Sequence, residues 1–503
     1  MPVRVGVVFN FLQLPDVSKY PFVINKSKNG DLVKKGIFVH TESIEGFLIG
    51  IVERIVLLNE YFSDALTIKA YNSEGNPNIL KGLFPSEDFE YAIAIVRNLG
   101  LIEFKEDTKN EINIIKRMTY PASPGREVNL VEEHTLKNFI GLDSKSGLNL
   151  GILKGTKINA KINMDRLFNK HFAILSISGG GKSYLTSVII EELLTREKEL
   201  GTPAIILIDV HGEYCYLKNL SRLKEKVKLF DASFFQISVP NLNAYTFRKY
   251  QEKISNVQVR ELSNYIRKLK KDKKEYSLND IIESIEQEHE VNKSTKQALI
   301  GWLSELERLT LFGPQENPNI NSLANPGELT IFNLQKEISI RKKQIIVDYI
   351  CNRLFYLRRM DQIPPFLLIV EEAHQFCPEA ANSKALTKSI IETIAREGRK
   401  FMACLCLISQ RPKRLSTTAL SQSNSKMILN ITNPYDLKHL MDSSEVITKE
   451  YANMISSLGV GEMLLMGNAV NYPIFIDVRK REFSSNSEES SLSQLCLNWK
   501  TLD

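Results

Sequence analysis

The 503-residue chain carries 65 Lys and Arg against 59 Asp and Glu, a net charge of +6, with 43% hydrophobic and 25% charged residues. This is the balance of a soluble globular protein, and its length excludes a single small core, so two or three domains are expected. The mild positive charge permits an anionic partner without requiring one.

No apolar run is long enough to cross a bilayer, so no membrane association is expected. The opening MPVRVGVVFN lacks the charged segment and long apolar core of a secretory signal. The six cysteines form no CxxC pair, the usage of reduced thiols in a cytoplasmic protein. Cys404 and Cys406 lie in an apolar run that marks them as core residues.

Along residues 1–125, short β-branched or apolar runs (RVGVVF, GIFVHT, GFLIGIVERIVLL) are broken by Gly, Asn, Asp and Pro, the texture of a small β-barrel. A polar stretch with Pro121, Ser123, Pro124 and Gly125 then reads as a linker. From 126 to 243, and again from 313 to 482, buried-type strands alternate with helical patterns: HFAILSI, AIILIDV, KVKLFD, LTIFNL, FLLIVEE, MACLCLIS and KMILNI. Such alternation predicts an α/β fold with a parallel sheet and crossover helices. Residues 244–312 carry no strand signal and read as a helical insertion or lid. EMLLM and YPIFIDV form a final hairpin around GNAVN, and the Ser- and Glu-rich tail 483–503 is expected to be mobile.

The stretch SISGGGKS, Ser176 to Ser183, ends like a phosphate-binding loop but begins with serine where GxxxxGK[ST] has glycine. GK[ST] alone is weak, arising by chance in roughly a quarter of chains this long. Its context strengthens it: the apolar strand Phe172–Ile177 precedes it, and Leu185, Val188, Ile189 and Leu193 follow at helical spacing. A loop there offers free backbone N–H groups and a helix dipole to phosphate. Gly179, Gly180 and Gly181 let the backbone curl around the ligand, with Ser178 and Tyr184 flanking it. Lys182 would reach the β- and γ-phosphates and the Ser183 hydroxyl would hold Mg²⁺. The competing reading is a structural glycine turn.

FLLIV, Phe366 to Val370, ends in Glu371 and Glu372, where open sheets bind ligands. Glu371 would join the Mg²⁺ shell and Glu372 would polarise an attacking water. Otherwise the pair merely opens the next helix, where acid complements the dipole. His374 is expected to pack or hydrogen-bond rather than ligate. The next helix ends in Arg396, Glu397, Gly398, Arg399 and Lys400. These basic residues complement the dipole, or place an arginine on a neighbour's γ-phosphate in an oligomeric ATPase. Gln410, at the tip of MACLCLIS, is placed to sense the γ-phosphate, or begins a polar turn at Pro412.

The order SISGGGKS, LIDVHGEY, FLLIVEEAHQF, AREGRKF, LISQRP resembles the HerA family of FtsK–HerA type hexameric DNA translocases, and the likeness runs from the N-terminal strands to about residue 480. It implies a RecA-like P-loop NTPase core behind a HAS-barrel at 1–125. It also implies ATP and Mg²⁺ as cofactor and metal. Lys182 and Ser183 match the Walker A pair, Glu371 and Glu372 the Walker B acid and catalytic glutamate, Gln410 the sensor, and Arg396 and Arg399 the arginines of which one acts in trans. Asp209, His211, Gly212 and Glu213 match the DxHGEY segment beside the nucleotide or the pore. Three positions depart from the pattern: Ser176 stands for glycine, Gly180 for a usual serine, and Glu371 for the commoner aspartate.

By the same resemblance, the chain would form a homohexamer around double-stranded DNA, gripping phosphates with little sequence preference. Lys218, Arg411, Lys413 and Arg414 are candidate pore contacts. The basic stretch FRKYQEKISNVQVRELSNYIRKLKKDKK places Leu262, Ile266 and Leu269 at helical spacing, so it reads first as an amphipathic helix with a solvated basic face. The resemblance implies an ATP-driven DNA translocase or helicase working with a NurA-type nuclease in end resection and recombination repair. A second reading is a nucleotide-gated ring scaffold for an effector enzyme in antiphage defence. A third is a conjugation or secretion motor, whose membrane-anchored versions are disfavoured by the lack of an apolar span.

Overall fold

The computed structural model describes residues 3–10, 14–25, 32–59, 62, 65–73, 90–105, 108–116, 118–287, 293–379, 385–444, 447–483 and 496. The chain divides into two compact units, Met1–Asn163 with Ala469–Asp477, and Met164–Asn468 with Val478–Asp503. Apart from Phe483 and Cys496, the tail expected to be mobile lies outside the described residues.

The first unit opens with β1 (Arg4–Val8), β2 (Lys19–Ile24), β3 (Phe38–Ser43), β4 (Gly46–Asn59), β5 (Glu90–Lys105), β6 (Thr108–Lys116) and β7 (Glu127–Leu130). The order β2-β1-β7-β3-β4-β5 is closed by pairing of β2 with β5, and β6 hangs on β5. Closure satisfies the edge groups of all six ring strands, and the expected small barrel is therefore present. Tyr20, Phe22, Val39, Leu48, Val96 and Val128 fill it. The Pro121–Gly125 stretch lies inside this unit. Ala122 is part of the barrel core, Gly125 N–H bonds the Val8 carbonyl, and β7 follows directly to pair with β1. The unit continues through β8 (Leu148–Leu153) and β9 (Asn159–Ile162), an antiparallel pair. The return segment is tied to it by bonds from Asn471 N–H to the Ile140 carbonyl and from Lys154 N–H to that of Phe475.

The second unit holds β10 (Phe172–Leu175), β11 (Ala204–Asp209), β12 (Val227–Asp231), the short β13 (Ile237–Ser238) and β14 (Phe312–Gly313), β15 (Leu329–Asn333), β16 (Phe366–Val370), β17 (Ala403–Ser409), β18 (Ser425–Ile428) and β19 (Glu462–Met466). Its sheet runs β12-β15-β11-β16-β17-β10-β18-β19, parallel throughout except for β19. Strands β10, β11, β15, β16 and β17 are buried along their whole length, as parallel strands covered on both faces must be; Cys404 and Cys406 are core residues accordingly. The predicted final hairpin supplies β19 and β20 (Ile474–Val478), and Ala469–Asp477 belongs to the first unit.

Helix α1 (Lys182–Thr195) follows β10, and α6 (Ile340–Arg359) follows β15. Between β13 and β14 the described residues form four α-helices with no strand among them: α2 (Ala244–Tyr250), α3 (Asn256–Asp272), α4 (Leu278–Glu286) and α5 (Lys293–Glu307). Ser255 and Ser277 open α3 and α4 with capping boxes. On α3, Leu262, Ile266 and Leu269 are buried and Arg260, Arg267, Lys268, Lys270 and Lys271 are exposed, the expected amphipathic split. The buried Asp348 of α6 holds Lys249 at 2.5 Å and accepts the Tyr250 hydroxyl, anchoring the insertion.

Candidate nucleotide site

The parallel strands all end on one edge of the sheet, and β10, β16, β17 and β11 deliver the candidate residues there. After β10 the chain turns through Ser178 and Gly179, both exposed, and enters α1 at Lys182. Gly179 (φ 74) and Gly181 (φ 92) take left-handed backbone that other residues rarely adopt, which is how the loop bends within so few residues. Gly180 is buried, and Gly181, Lys182, Ser183 and Tyr184 are half-buried.

The unusual entry residue has a structural partner. Ser176 is fully buried, and its hydroxyl donates to the Ile177 carbonyl at 2.7 Å; the same carbonyl accepts Gly180 N–H at 3.2 Å. A Cβ built on Gly180 would overlap the Ser176 hydroxyl. Two of the departures from the family pattern are therefore one exchange, in which a serine side chain enters from position 176 and glycine makes room for it at 180.

At the end of β16, Glu371 and Glu372 are both buried but differently used. Glu371 Oε2 accepts Val210 N–H at 2.9 Å and His211 N–H at 3.4 Å. Burial and the neighbouring Asp209 carboxylate raise its pKa well above the ordinary range. Asp209 in turn accepts the N–H groups of Gly212, Glu213 and Tyr214 at 2.7, 3.1 and 3.0 Å. The HGEY segment is thus a loop folded around Asp209 and tied to Glu371.

Glu372 sits in left-handed backbone (φ 48, ψ 41), uncommon for a side chain of this size and costly unless the surroundings impose it. Burial raises its pKa, while Lys182 and the Gln410 side chain beside it favour the charged form. Its Oε2 is buried without a hydrogen-bond partner. His374 Nδ1 stands 3.2 Å from that oxygen, yet it equally faces the Ser409 hydroxyl at 3.2 Å. Burial, with Arg411, Arg414 and Lys182 nearby, pushes the imidazole down to about 4, so it is neutral near pH 7 and forms no ion pair. The site thus presents a buried carboxyl oxygen with no assigned hydrogen-bond donor, its neighbour being the His374 ring nitrogen at 3.2 Å, beside Lys182 and an amide. Such an orphaned acceptor suits a water molecule.

This structure carries Lys182, Glu372, Gln410 and His374 to one place. It does not carry the other cations there. Arg396 and Arg399 are exposed where helix α7 (Lys388–Glu397) runs into β17. That is the opposite edge of the sheet, a strand length of roughly 20 Å from Gln410. Lys218 donates to the carbonyls of Lys224 and Val227 at 3.0 and 2.7 Å, so its ammonium closes a turn. Arg411, Lys413 and Arg414 are exposed after β17, and the Lys413 ammonium lies 4.5 Å above the Tyr435 ring. Sequence reading passed over Ser409, whose hydroxyl accepts Arg411 N–H at 3.0 Å and meets His374; a serine at a strand end carries no signal of that role.

The family described as "Helicase HerA, central domain" matches residues 148–354. A probable helicase of Methanocaldococcus jannaschii is 27% identical over 95% of this chain and 97% of its own. The DNA double-strand break repair helicase HerA of Sulfolobus acidocaldarius is 28% identical over 76% of this chain and 77% of its own. Among solved structures, VirB4 of Thermoanaerobacter pseudethanolicus aligns with a TM-score of 0.53 at 15% identity, covering 68% of this chain and 98% of that one, a likeness of fold.

Proposed function

We propose that the chain, whose residues 148–354 match the HerA helicase central domain, is a HerA-type helicase that hydrolyses ATP at this site to move along double-stranded DNA during repair of DNA ends. The observation that carries this reading is Glu372: buried, in strained backbone, with a free oxygen beside Lys182 and Gln410. Strain of that kind persists only where the fold imposes it, and it clusters at active sites.

The residues fit a magnesium nucleotide. Gly179 and Gly181 shape a loop of N–H groups at the start of α1, and no atom lies within 4 Å of where a Cβ on Gly179 would stand. Ser183 and Glu371 would hold Mg²⁺, which neutralises charge on the phosphate oxygens when bound. Lys182 places its ammonium at the β- and γ-phosphates. Glu372 orients the attacking water and takes its proton, and the Gln410 amide contacts the γ-phosphate. Arg396 or Arg399 reaches a neighbouring subunit's nucleotide in a homohexamer, since within one chain both lie on the other edge of the sheet. Arg411, Lys413 and Arg414 meet DNA phosphates, and a NurA-type nuclease supplies cleavage. No helix among the described residues is long and apolar enough to cross a membrane. The alternative, a gated scaffold with little hydrolysis, draws on Ser176 and Glu371; Gly180 leaves room for the serine hydroxyl, which answers the first of these.

ATP hydrolysis by the purified chain, with and without linear double-stranded DNA and at two salt concentrations, tests the proposal. DNA should stimulate turnover, less so at high salt, and Glu372→Gln should abolish it while leaving ATP binding intact. Binding with negligible turnover under every condition would favour the scaffold.

A further inference from the structure

The segment that follows β20 is strapped across α1, the helix that the phosphate loop opens into. Glu191 of α1 is fully buried and accepts the N–H groups of Glu482 and Phe483, both at 3.1 Å. Arg479 pairs with Glu191 at 3.2 Å and Glu192 at 2.9 Å. Between these anchors, Arg481 N–H bonds the Tyr184 hydroxyl at 2.9 Å, and its guanidinium lies 4.6 Å from the centre of the Tyr184 ring. It also meets the Tyr216 hydroxyl at 3.4 Å, and that hydroxyl bonds Ser187 of α1 at 3.2 Å.

Tyr184 is the first residue past Ser183. A phosphate loop cradles the α- and β-phosphates, with the γ-phosphate directed to the lysine and the catalytic carboxylate. The nucleoside would leave from the α-phosphate end, over the half-buried first turn of the helix. Arg481, Tyr184 and Tyr216 are half-buried there, a planar cation and two rings fixed in position by a buried glutamate. A guanidinium stacks on aromatic faces on either of its sides; that of Arg481 lies closest to the Tyr184 ring, at 4.6 Å, with the Tyr216 ring farther away at 5.9 Å.

We propose that Arg481 is the seat of the nucleobase, its outer face stacking on the base while Tyr184 backs the inner face. This rests on the nucleotide reading of the phosphate loop. It makes the strap 479–483 part of the binding site, although no motif marks it.

The test compares ADP with inorganic pyrophosphate, each with Mg²⁺, binding to the full chain by calorimetry. The two probes share the diphosphate and differ by the adenosine. Arg481→Ala should weaken ADP roughly tenfold, the usual scale of base stacking, and change pyrophosphate less than twofold. Arg481→Met, which keeps the packing on Tyr184, should show the same split even if the alanine variant loosens the strap. An equal loss for both probes would make Arg481 a phosphate contact, and no loss for either would put the base elsewhere; each result overturns the proposal. If the unaltered chain binds neither probe, the phosphate-loop reading fails and this one falls with it. If Lys182→Ala alone abolishes both, the loop stands and Arg481 is judged on its own split.

Discussion

In the phosphate loop, Ser176 and Gly180 both depart from the family pattern, and they meet in space, the hydroxyl of one filling the volume the other leaves empty. At the end of β16, Glu371 and Glu372 are adjacent and chemically identical, yet their surroundings separate them. Glu371 is bound by two backbone N–H groups, whereas Glu372 keeps one oxygen without a partner. In the loop, different residues converge on one structural role; at the strand end, identical residues divide, one carboxyl held by backbone N–H groups and the other left with an oxygen without a hydrogen-bond partner.

Separating the two glutamates should give the largest effect. Glu372→Gln removes the group proposed to take the proton and should lower turnover at least a hundredfold, within the usual range of general base catalysis. Its melting temperature should stay level or rise, because a neutral amide avoids the desolvation that raises the Glu372 pKa. Glu371→Ala should lower both activity and stability. It strips an acceptor from Val210 and His211, and leaving the buried Val210 N–H unmet costs about 1–3 kcal/mol. Denaturant unfolding of the two variants side by side decides the matter. If both melt alike, the division between them is wrong.

The loop's exchange can be broken and then repaired. Gly180→Ser alone drives a Cβ into the Ser176 hydroxyl and should cost about 1–3 kcal/mol of stability, with weaker ATP binding. Ser176→Gly combined with Gly180→Ser should recover most of that loss. A cycle over the four proteins should show coupling above about 0.5 kcal/mol, the mark of residues in contact. Additive effects would mean that the two departures are independent, and that the serine at 176 has no compensating partner.

Much of this was legible in the sequence, for physical reasons. Parallel strands buried on both faces leave unbroken apolar runs, so FAIL, AIILID, FLLIV and ACLCLIS announce themselves, and the loop and the carboxylates are read at their ends. Three features were not legible. PASPG has the turn chemistry of a linker, but the same chemistry serves a turn within a barrel, and only the burial of Ala122 shows which applies. Lys218 reads as a free cation until its carbonyl partners are seen. The link between Ser176 and Gly180 depends on a loop that folds back on itself, and residue spacing does not reveal that contact.

The smallest expected effect separates strain from space within the loop itself. At Gly179 a Cβ would meet nothing within 4 Å, but the backbone is left-handed at φ 74. Gly179→Ala therefore carries only the conformational penalty, about 1–2 kcal/mol, against the steric overlap that Gly180→Ser adds. In the nucleotide-free protein the loss from Gly179→Ala should be the smaller of the two. ATP should change the order: if phosphate occupies the open volume over Gly179, the added methyl group competes with it, and affinity falls by more than the loss of stability explains. Equal losses with and without nucleotide would show that the open volume is not where the phosphate sits, and the loop would then have to be read through Gly181 and Lys182 instead.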